Sequence, residues 1–164
     1  MARALAATLF LLSLAGCGDD GSVASARPVP REPGPEAVGT LCGMFLSEHA
    51  GPKGQVFLWG QDQPLWFSSV RDTFAWLLID EEGGKEFAAI YVNDMARATR
   101  WAAPEVGTWI EARRAYYVIG SDKGAAMGSS ELVPFSDPGR ADEFAGRHGG
   151  RVVTFQQITP ATLK

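Results

Sequence analysis

Sulfur and imidazole ligands are scarce in this sequence, because its 164 residues include only two cysteines and two histidines. This count excludes a disulfide-rich secreted scaffold, since such chains carry many cysteines in a short sequence. It also excludes a structural zinc site, which needs about four Cys or His ligands at close spacing. If a modification uses one cysteine, the other is a lone thiol that must be buried, paired with another chain or used chemically.

The sequence also lacks a basic surplus and a long apolar run. Lys and Arg number 15 against 19 Asp and Glu, a formal net charge of −4. Because nucleic-acid binding needs a basic footprint, we expect no nucleic-acid partner. The apolar run at residues 4–14 is roughly half as long as a membrane-spanning helix. The remaining sequence, with 46% apolar residues overall, is typical of one globular domain with its own core.

The N-terminus has the parts of an export signal: Arg3, the apolar run and then small residues. Residues 14–17 read LAGC, which resembles the lipobox of bacterial lipoproteins, whose cysteine receives a diacylglyceryl group before cleavage. We therefore expect a signal peptide at residues 1–16 and lipidation of Cys17. The alternative is a plain secretory signal beside a chance cysteine. Cleavage would remove one basic and no acidic side chain, giving a net charge of −5, so anchoring would depend on the lipid.

Residues 17–37 are rich in Gly, Ser, Pro and Ala and show no hydrophobic period, so we predict a lipidated tether there. The folded domain is predicted at residues 38–164. Its two halves show the same order of strand, strand, helix and strand. These elements are predicted at residues 55–60, 64–67, 68–80 and 87–92, and again at 115–119, 132–135, 138–148 and 151–155.

The helix signals within these halves are specific. Ser68 or Ser69 can cap the first helix, and the glycines at 83–84 end it. Asp137 followed by Pro138 starts the second helix. A short terminal helix is predicted after Thr159. Two ββαβ units predict an α+β fold, packed as one domain with mostly antiparallel sheet.

Two stretches could carry metal chemistry. Cys42 begins the sequence CGM, and Met127 lies in a glycine-rich loop at residues 120–128. Thiolate and thioether are soft donors that prefer Cu(I), and methionine is unusual in such a loop because it normally fills a core. From the residues alone, however, a structural thiol explains Cys42 better than a metal does. Met44 could pack under the first hairpin, and His49 is more typical of a surface residue than of a ligand.

Five motifs together carry a family resemblance. They are CGM at 42–44, AYYVIGSD at 115–122, MG at 127–128, ELVPF at 131–135 and ITP at 158–160. With the lipobox, they resemble the NosL family of copper-binding accessory lipoproteins of nitrous oxide reductase. The resemblance covers about residues 38–164. It implies paired ββαβ units, also found in organomercurial lyase, and delivery of Cu(I) for assembly of the copper-sulfide centre of the reductase outside the cytoplasm.

Carried over position by position, the resemblance assigns copper ligation to Cys42 and Met127, and it aligns Met44 with the third residue of the family's CGM. The sequence departs from the family at two positions. Many members read CxxCGM, whereas Gly39 stands at the first cysteine position here. Many members also have histidine after MG, where this chain has Ser129. The third ligand therefore stays open among Met44, His49 and a side chain of a partner.

The resemblance implies a carrier and not an enzyme. Its client would be nitrous oxide reductase, its copper donor is open, and a lipid would hold it on a bacterial membrane with the domain facing the periplasm. Two alternatives remain. One is an organomercurial-lyase-like enzyme, against which the single mature thiol argues, because the related lyase uses a pair. The other is a structural envelope lipoprotein in which Cys42 is buried and binds no metal.

Overall fold

A computed structural model describes residues 27–79 and 87–164 of the chain. Cys17 and the glycine pair at 83–84 lie outside these residues. The described elements follow in the order β1 (Gly54–Leu58), β2 (Leu65–Phe67), α1 (Val70–Leu78), β3 (Phe87–Asn93), β4 (Trp109–Glu111), β5 (Tyr116–Ile119), β6 (Val133–Phe135), α2 (Pro138–His148) and β7 (Arg151–Thr154). The short terminal helix is a 3₁₀ turn at Pro160–Leu163.

The two predicted repeats have the same sheet topology. In the first, β1 pairs with both β2 and β3, and in the second, β5 pairs with both β6 and β7. Every one of these pairings is antiparallel. The α+β prediction of two ββαβ units is therefore confirmed. An additional strand, β4, was not predicted; it pairs antiparallel with β3 at the edge of the first sheet. It lies outside the repeated order of strand, strand, helix and strand, so the second repeat has no equivalent that could have indicated it.

The helix starts follow the predicted capping chemistry. Ser69 is the N-cap of α1, and its Oγ accepts a hydrogen bond from Asp72 N at 2.9 Å. In α2, Asp137 Oδ1 accepts from Arg140 N at 2.8 Å, directly before the proline that begins the helix. The first turn of α1 is therefore fixed by side chains, which matters because two loops meet there.

One apolar core joins the two repeats. The Phe74 ring of α1 meets the Tyr117 ring of β5 edge to face, with centroids 5.1 Å apart. Phe74 also contacts Phe155, with centroids 5.0 Å apart. Val56 of β1 and Val153 of β7 belong to the same buried cluster. Because α1 packs on side chains from both sheets, the two repeats form a single domain.

The described part of the predicted tether lies against the first sheet. Arg31 and Gln55 exchange two hydrogen bonds of 2.9 Å between the Arg31 backbone and the Gln55 amide. Tyr91 Oη donates to Pro28 O at 2.6 Å, and Gly107 N donates to Glu32 Oε1 at 2.8 Å.

Within the described residues, no helix combines the length and the apolarity needed to cross a bilayer.

Candidate metal site

Cys42 lies in a tight turn that is closed by backbone hydrogen bonds before and after the cysteine. Gly39 N donates to Met44 O at 2.9 Å, and Gly43 N donates to Gly39 O at 2.7 Å. Gly43 has a φ of 68°, in the left-handed region that glycine adopts without strain. Thr40 N donates to Trp66 O at 2.7 Å and ties the turn to β2. The position of Cys42 is therefore fixed by backbone geometry.

The Cys42 thiol is half-buried and belongs to a short polar chain. Its Sγ lies 3.2 Å from Ser68 Oγ, and Ser68 Oγ donates to Asp72 Oδ2 at 3.1 Å. Because the hydroxyl donates its one hydrogen to Asp72, it accepts from the thiol S–H of Cys42. Cys42 is a free cysteine in the described structure, and it lies at the edge of the domain and not inside the apolar core. A ligand can therefore reach the sulfur without unfolding the protein.

Gly39 leaves the space that the thiol occupies. A Cβ built at this position would come within 2.6 Å of Cys42 Sγ and 3.2 Å of Ser68 Oγ. Such a contact is well inside van der Waals range, so a larger residue would push the sulfur away. Glycine stands at this position where many family members have cysteine, and here the Cys42 thiol packs against Gly39 and Ser68.

We expect Gly39→Ala to displace the Cys42 thiol from Ser68 and expose it. The rate of alkylation of Cys42 by iodoacetamide should rise several-fold in the native protein. Gly34→Ala is the matched control, because a Cβ at Gly34 meets nothing within 4 Å. An unchanged alkylation rate in Gly39→Ala, with an unchanged melting temperature, would contradict the placement of the thiol over Gly39.

The second candidate stretch is a closed loop between β5 and β6. Met127 belongs to the 3₁₀ turn Ala126–Gly128, and its side chain lies outside what the structure describes. Ala125 N donates to Ser129 O at 2.6 Å, and Gly124 forms an isolated β-bridge with Ser130. The backbone that carries Met127 is therefore held by its own hydrogen bonds.

Both stretches meet the first turn of α1. The Cys42 turn contacts Ser68, immediately before the cap. The Met127 loop contacts Arg71, whose N donates to Glu131 Oε1 at 2.9 Å and whose Nη1 donates to Ser130 O at 3.4 Å. Since Ser68 and Arg71 are three residues apart, the structure brings the two stretches to the same helix end.

Glu131 is the residue that makes this junction, and the sequence analysis assigned it no role. It is wholly buried, and its Oε1 also accepts from Leu132 N at 2.8 Å. Its Oε2 has no hydrogen-bond partner among the described residues. Burial raises the pKa of Glu131 to about 8, against the lowering effect of the two N–H donors and of the Lys53 charge. In the sequence, the only sign of this role is a single carboxylate directly before the apolar run LVPF. The role could not be inferred from it, because the partner residue Arg71 is 60 positions away.

The two remaining candidate ligands, Met44 and His49, lie in different surroundings. Met44 is 41% exposed in the same turn as Cys42 and is available to a metal held there. His49 instead lies in the wall of a cavity of about 240 Å³ with Lys53 and Trp109, and neither Cys42 nor Met127 lines that cavity. The His49 Nε2 is buried without a hydrogen-bond partner in the described structure. Met44 thus lies in the same turn as Cys42, whereas His49 lines this cavity, and both remain candidate ligands.

The described residues contain no group of three or more Cys, His, Asp or Glu side chains that could hold a metal ion. Methionine is not one of these four residue types, and its thioether is the second candidate donor here. The arrangement is a half-buried thiol and an exposed thioether on one turn, with a second methionine-bearing loop docked at the same helix end. It can offer soft, low-coordinate ligation and no closed cage.

Comparison with known proteins gives a consistent match. The family model NosL matches residues 30–163. The copper-binding lipoprotein NosL of Achromobacter cycloclastes is 42% identical over 163 residues, which cover 97% of this chain and 80% of the relative. The protein of the same description from Stutzerimonas stutzeri is 38% identical over 164 residues, covering 99% of this chain and 83% of the relative.

Two solved structures are similar to the fold described above. The crystal structure of the copper chaperone NosL from Shewanella denitrificans has a TM-score of 0.73 at 33% identity, covering 82% of this chain and 99% of that one. The solution structure of apo-NosL from Achromobacter cycloclastes has a TM-score of 0.50 at 42% identity, covering 68% and 88% respectively.

Proposed function

Since this chain belongs to the NosL family, we propose that it is a Cu(I) metallochaperone that delivers copper for assembly of the copper-sulfide centre of nitrous oxide reductase. It works outside the cytoplasm, held on the membrane by a lipid on Cys17. The observation that carries this proposal is the half-buried Cys42 thiol, fixed on a turn that shares a helix end with the Met127 loop. Copper is the cargo of this protein, which catalyses no reaction.

The donor set suits Cu(I). Cys42 supplies a thiolate, Met127 a thioether and Met44 a second thioether from the same turn as the cysteine. Soft sulfur ligands select Cu(I) over harder ions, whereas Zn(II) in proteins is usually held by four N and S ligands. Binding replaces the thiol proton with the metal, and the proton leaves to solvent. The single hydrogen of the Ser68 hydroxyl is donated to Asp72 in the metal-free structure, so Ser68 must release Asp72 before it can donate to the thiolate.

Low coordination suits transfer. With two or three sulfur donors, the metal keeps an open position on the solvent side, where an incoming donor can bind before a bond to this chain breaks. A closed four-ligand cage would instead retain the metal. In such a transfer, the ion passes directly from the sulfur ligands of this chain to the ligands of the acceptor.

A strain lacking this protein tests the proposal. We expect the strain to export the reductase polypeptide at normal levels yet accumulate nitrous oxide, most severely when copper is scarce. The wild-type gene should restore nitrous oxide consumption, and Cys42→Ser should not. Normal consumption in the deletion strain under copper limitation would reject delivery to this client, even if purified protein binds copper.

A further inference from the structure

The Cys42 turn carries an unusual concentration of exposed apolar side chains. Eight large apolar side chains are exposed in the described part of the chain, and four of them lie within residues 38–45. These four are Val38, Leu41, Met44 and Phe45, each between 41% and 45% exposed. We call them the 38–45 patch. Contiguous exposed apolar residues mark interaction sites, whereas single scattered ones are ordinary.

The patch is rigid. Val38 and Phe45 form an antiparallel β-bridge, and Leu46 N donates to Ala37 O at 2.9 Å just beyond it. Together with the two hydrogen bonds that join Gly39 to the far side of the turn, these contacts hold the apolar side chains on one small loop. A rigid surface loses little conformational entropy on binding, which favours a partner that docks on it as it stands.

The patch lies on the same turn as the sulfur that we propose as the transfer atom. A metal sits about 2.3 Å from a thiolate sulfur, and ligand exchange requires the incoming donor atom within a similar distance of the metal. The atoms of any protein acceptor must therefore come within about 5 Å of Cys42 Sγ during transfer. At that separation its surface cannot avoid Leu41 and Met44, the near neighbours of Cys42 in sequence.

The edge of the patch is acidic. Residues 33–52 contain two carboxylates, Glu36 and Glu48, and no Lys or Arg. Both carboxylates are exposed, and Glu48 Oε2 accepts from Phe45 N at 3.0 Å, directly beside the patch. An acidic edge attracts a basic partner surface and repels both anionic lipid headgroups and a second copy of the same face.

We propose that the 38–45 patch is the docking surface for the protein that accepts Cu(I) from Cys42, and that the contacting face of this acceptor is apolar and edged by Lys or Arg. The inference rests on the proposed function and adds to it the surface that the acceptor uses. Apolar contact supplies the affinity, and the acidic edge sets the orientation that brings the acceptor's donor atom to the metal.

The test uses the lipidated full-length chain in the deletion strain, with the copper content of purified reductase as the readout. Leu41→Ser with Phe45→Ser should lower that content at least about fivefold, since truncating interface anchors weakens binding by about tenfold or more. Leu41→Ile with Phe45→Leu keeps the apolar surface without adding a sulfur donor beside Cys42 and should restore copper loading. Val106→Ser, at an 80% exposed position away from the turn, should load the reductase as wild type does.

Three measurements on the purified variants separate docking from binding. Each variant should match wild type in melting temperature, in Cu(I) affinity and in the rate at which the small chelator bathocuproine disulfonate removes Cu(I), because a small chelator needs no docking surface. A loss of Cu(I) affinity in the serine double variant would overturn the docking assignment, since the patch would then act on the site itself. Full copper loading of the reductase by that variant would also overturn it.

Charge reversal identifies the occupant. Glu36→Lys keeps the hydrogen bond from Phe45 N to Glu48 and should lower copper loading, because it repels a basic partner edge. Copper loading equal to or above that of wild type would instead favour an anionic membrane as the occupant and overturn the basic-edged acceptor.

Sedimentation of the wild-type protein tests self-association and should show a monomer. A dimer that the serine double variant abolishes would assign the patch to self-association and overturn the acceptor. A normally loaded reductase in the deletion strain itself would reject the proposed function and not the patch alone.

Discussion

Replacing Cys42 with serine is expected to abolish tight Cu(I) binding while leaving the fold intact. The thiolate is the one charged sulfur donor of the site, and a serine hydroxyl is a poor ligand for a soft ion. We expect the affinity to fall by more than about 100-fold, because even partners outside the ligand sphere change metal affinity by roughly 10–100-fold. The serine Oγ can keep a hydrogen bond to Ser68, so the apo melting temperature should barely change.

Competition against a cuprous chelator measures this effect, and two methionine variants calibrate it. Met127→Leu keeps side-chain volume but removes a neutral donor, so it should weaken Cu(I) binding less than the loss of the thiolate does. Met44→Leu should lie between no effect and the Met127 effect. Wild-type protein should prefer Cu(I) to Zn(II) by a wide margin. Wild-type affinity in Met127→Leu together with failure of Met44→Leu would move the second ligand into the Cys42 turn.

Removing the Glu131 carboxyl is expected to cause the largest loss of stability. In Glu131→Ala, the buried N–H groups of Arg71 and Leu132 lose their acceptor, and a cavity remains. Each unpaired donor costs about 1–3 kcal/mol, so the free energy of unfolding should fall by roughly 3 kcal/mol or more. Glu131→Gln is the matched control, since its amide oxygen can accept both hydrogen bonds. Urea unfolding at pH 6 compares the three proteins.

The same carboxyl predicts a pH dependence of stability. Its pKa is about 8 in the folded protein and near 4.5 when exposed, so between these values the folded state binds a proton that the unfolded state has lost. Stability conferred by this proton is present at low pH and is lost as pH rises from about 4.5 to about 8. The difference in unfolding free energy between wild type and Glu131→Gln should therefore shift by a few kcal/mol across this window, to the disadvantage of wild type.

Groups that do not interact with Glu131 cancel in this difference. Lys53 is the exception, because burial lowers its pKa to about 8 while the Glu131 charge raises it, and the variant removes that charge. Glu131 and Lys53 therefore titrate together at the upper end of the window. A wild-type curve parallel to that of Glu131→Gln from pH 4.5 to 8 would show that Glu131 is ionised in the fold and would contradict its assignment as a neutral buried acid.

Elements with strong local signals were predictable from the sequence. The cap at Asp137 followed by proline, and the serine before α1, specify helix starts through hydrogen bonds made within three residues. The apolar runs of β1, β3 and β5 similarly specify strands, so the order of the two repeats could be read without the structure. The strand β4 could not be predicted, because it lies outside the repeated order and its pairing with β3 is set by tertiary contacts.

The candidate site was predictable only in part. The sulfur residues could be named from their chemistry and from the family pattern, because both depend on residue type. The junction between their two stretches could not be predicted, since Glu131 meets Arg71 across 60 positions and Cys42 meets Ser68 across 26. Proximity in sequence suggested His49 as a ligand, but its place in the wall of a cavity with Trp109 could not be read from the sequence.

The measurement that tests delivery most directly is the copper content of nitrous oxide reductase purified from the deletion strain grown under copper limitation. The account predicts an exported polypeptide of normal abundance that lacks its copper-sulfide centre. Wild type supplied in trans should restore the copper content, and Cys42→Ser, although exported and lipidated, should not. A fully copper-loaded reductase from the deletion strain would contradict the account and leave a copper-binding lipoprotein with another client.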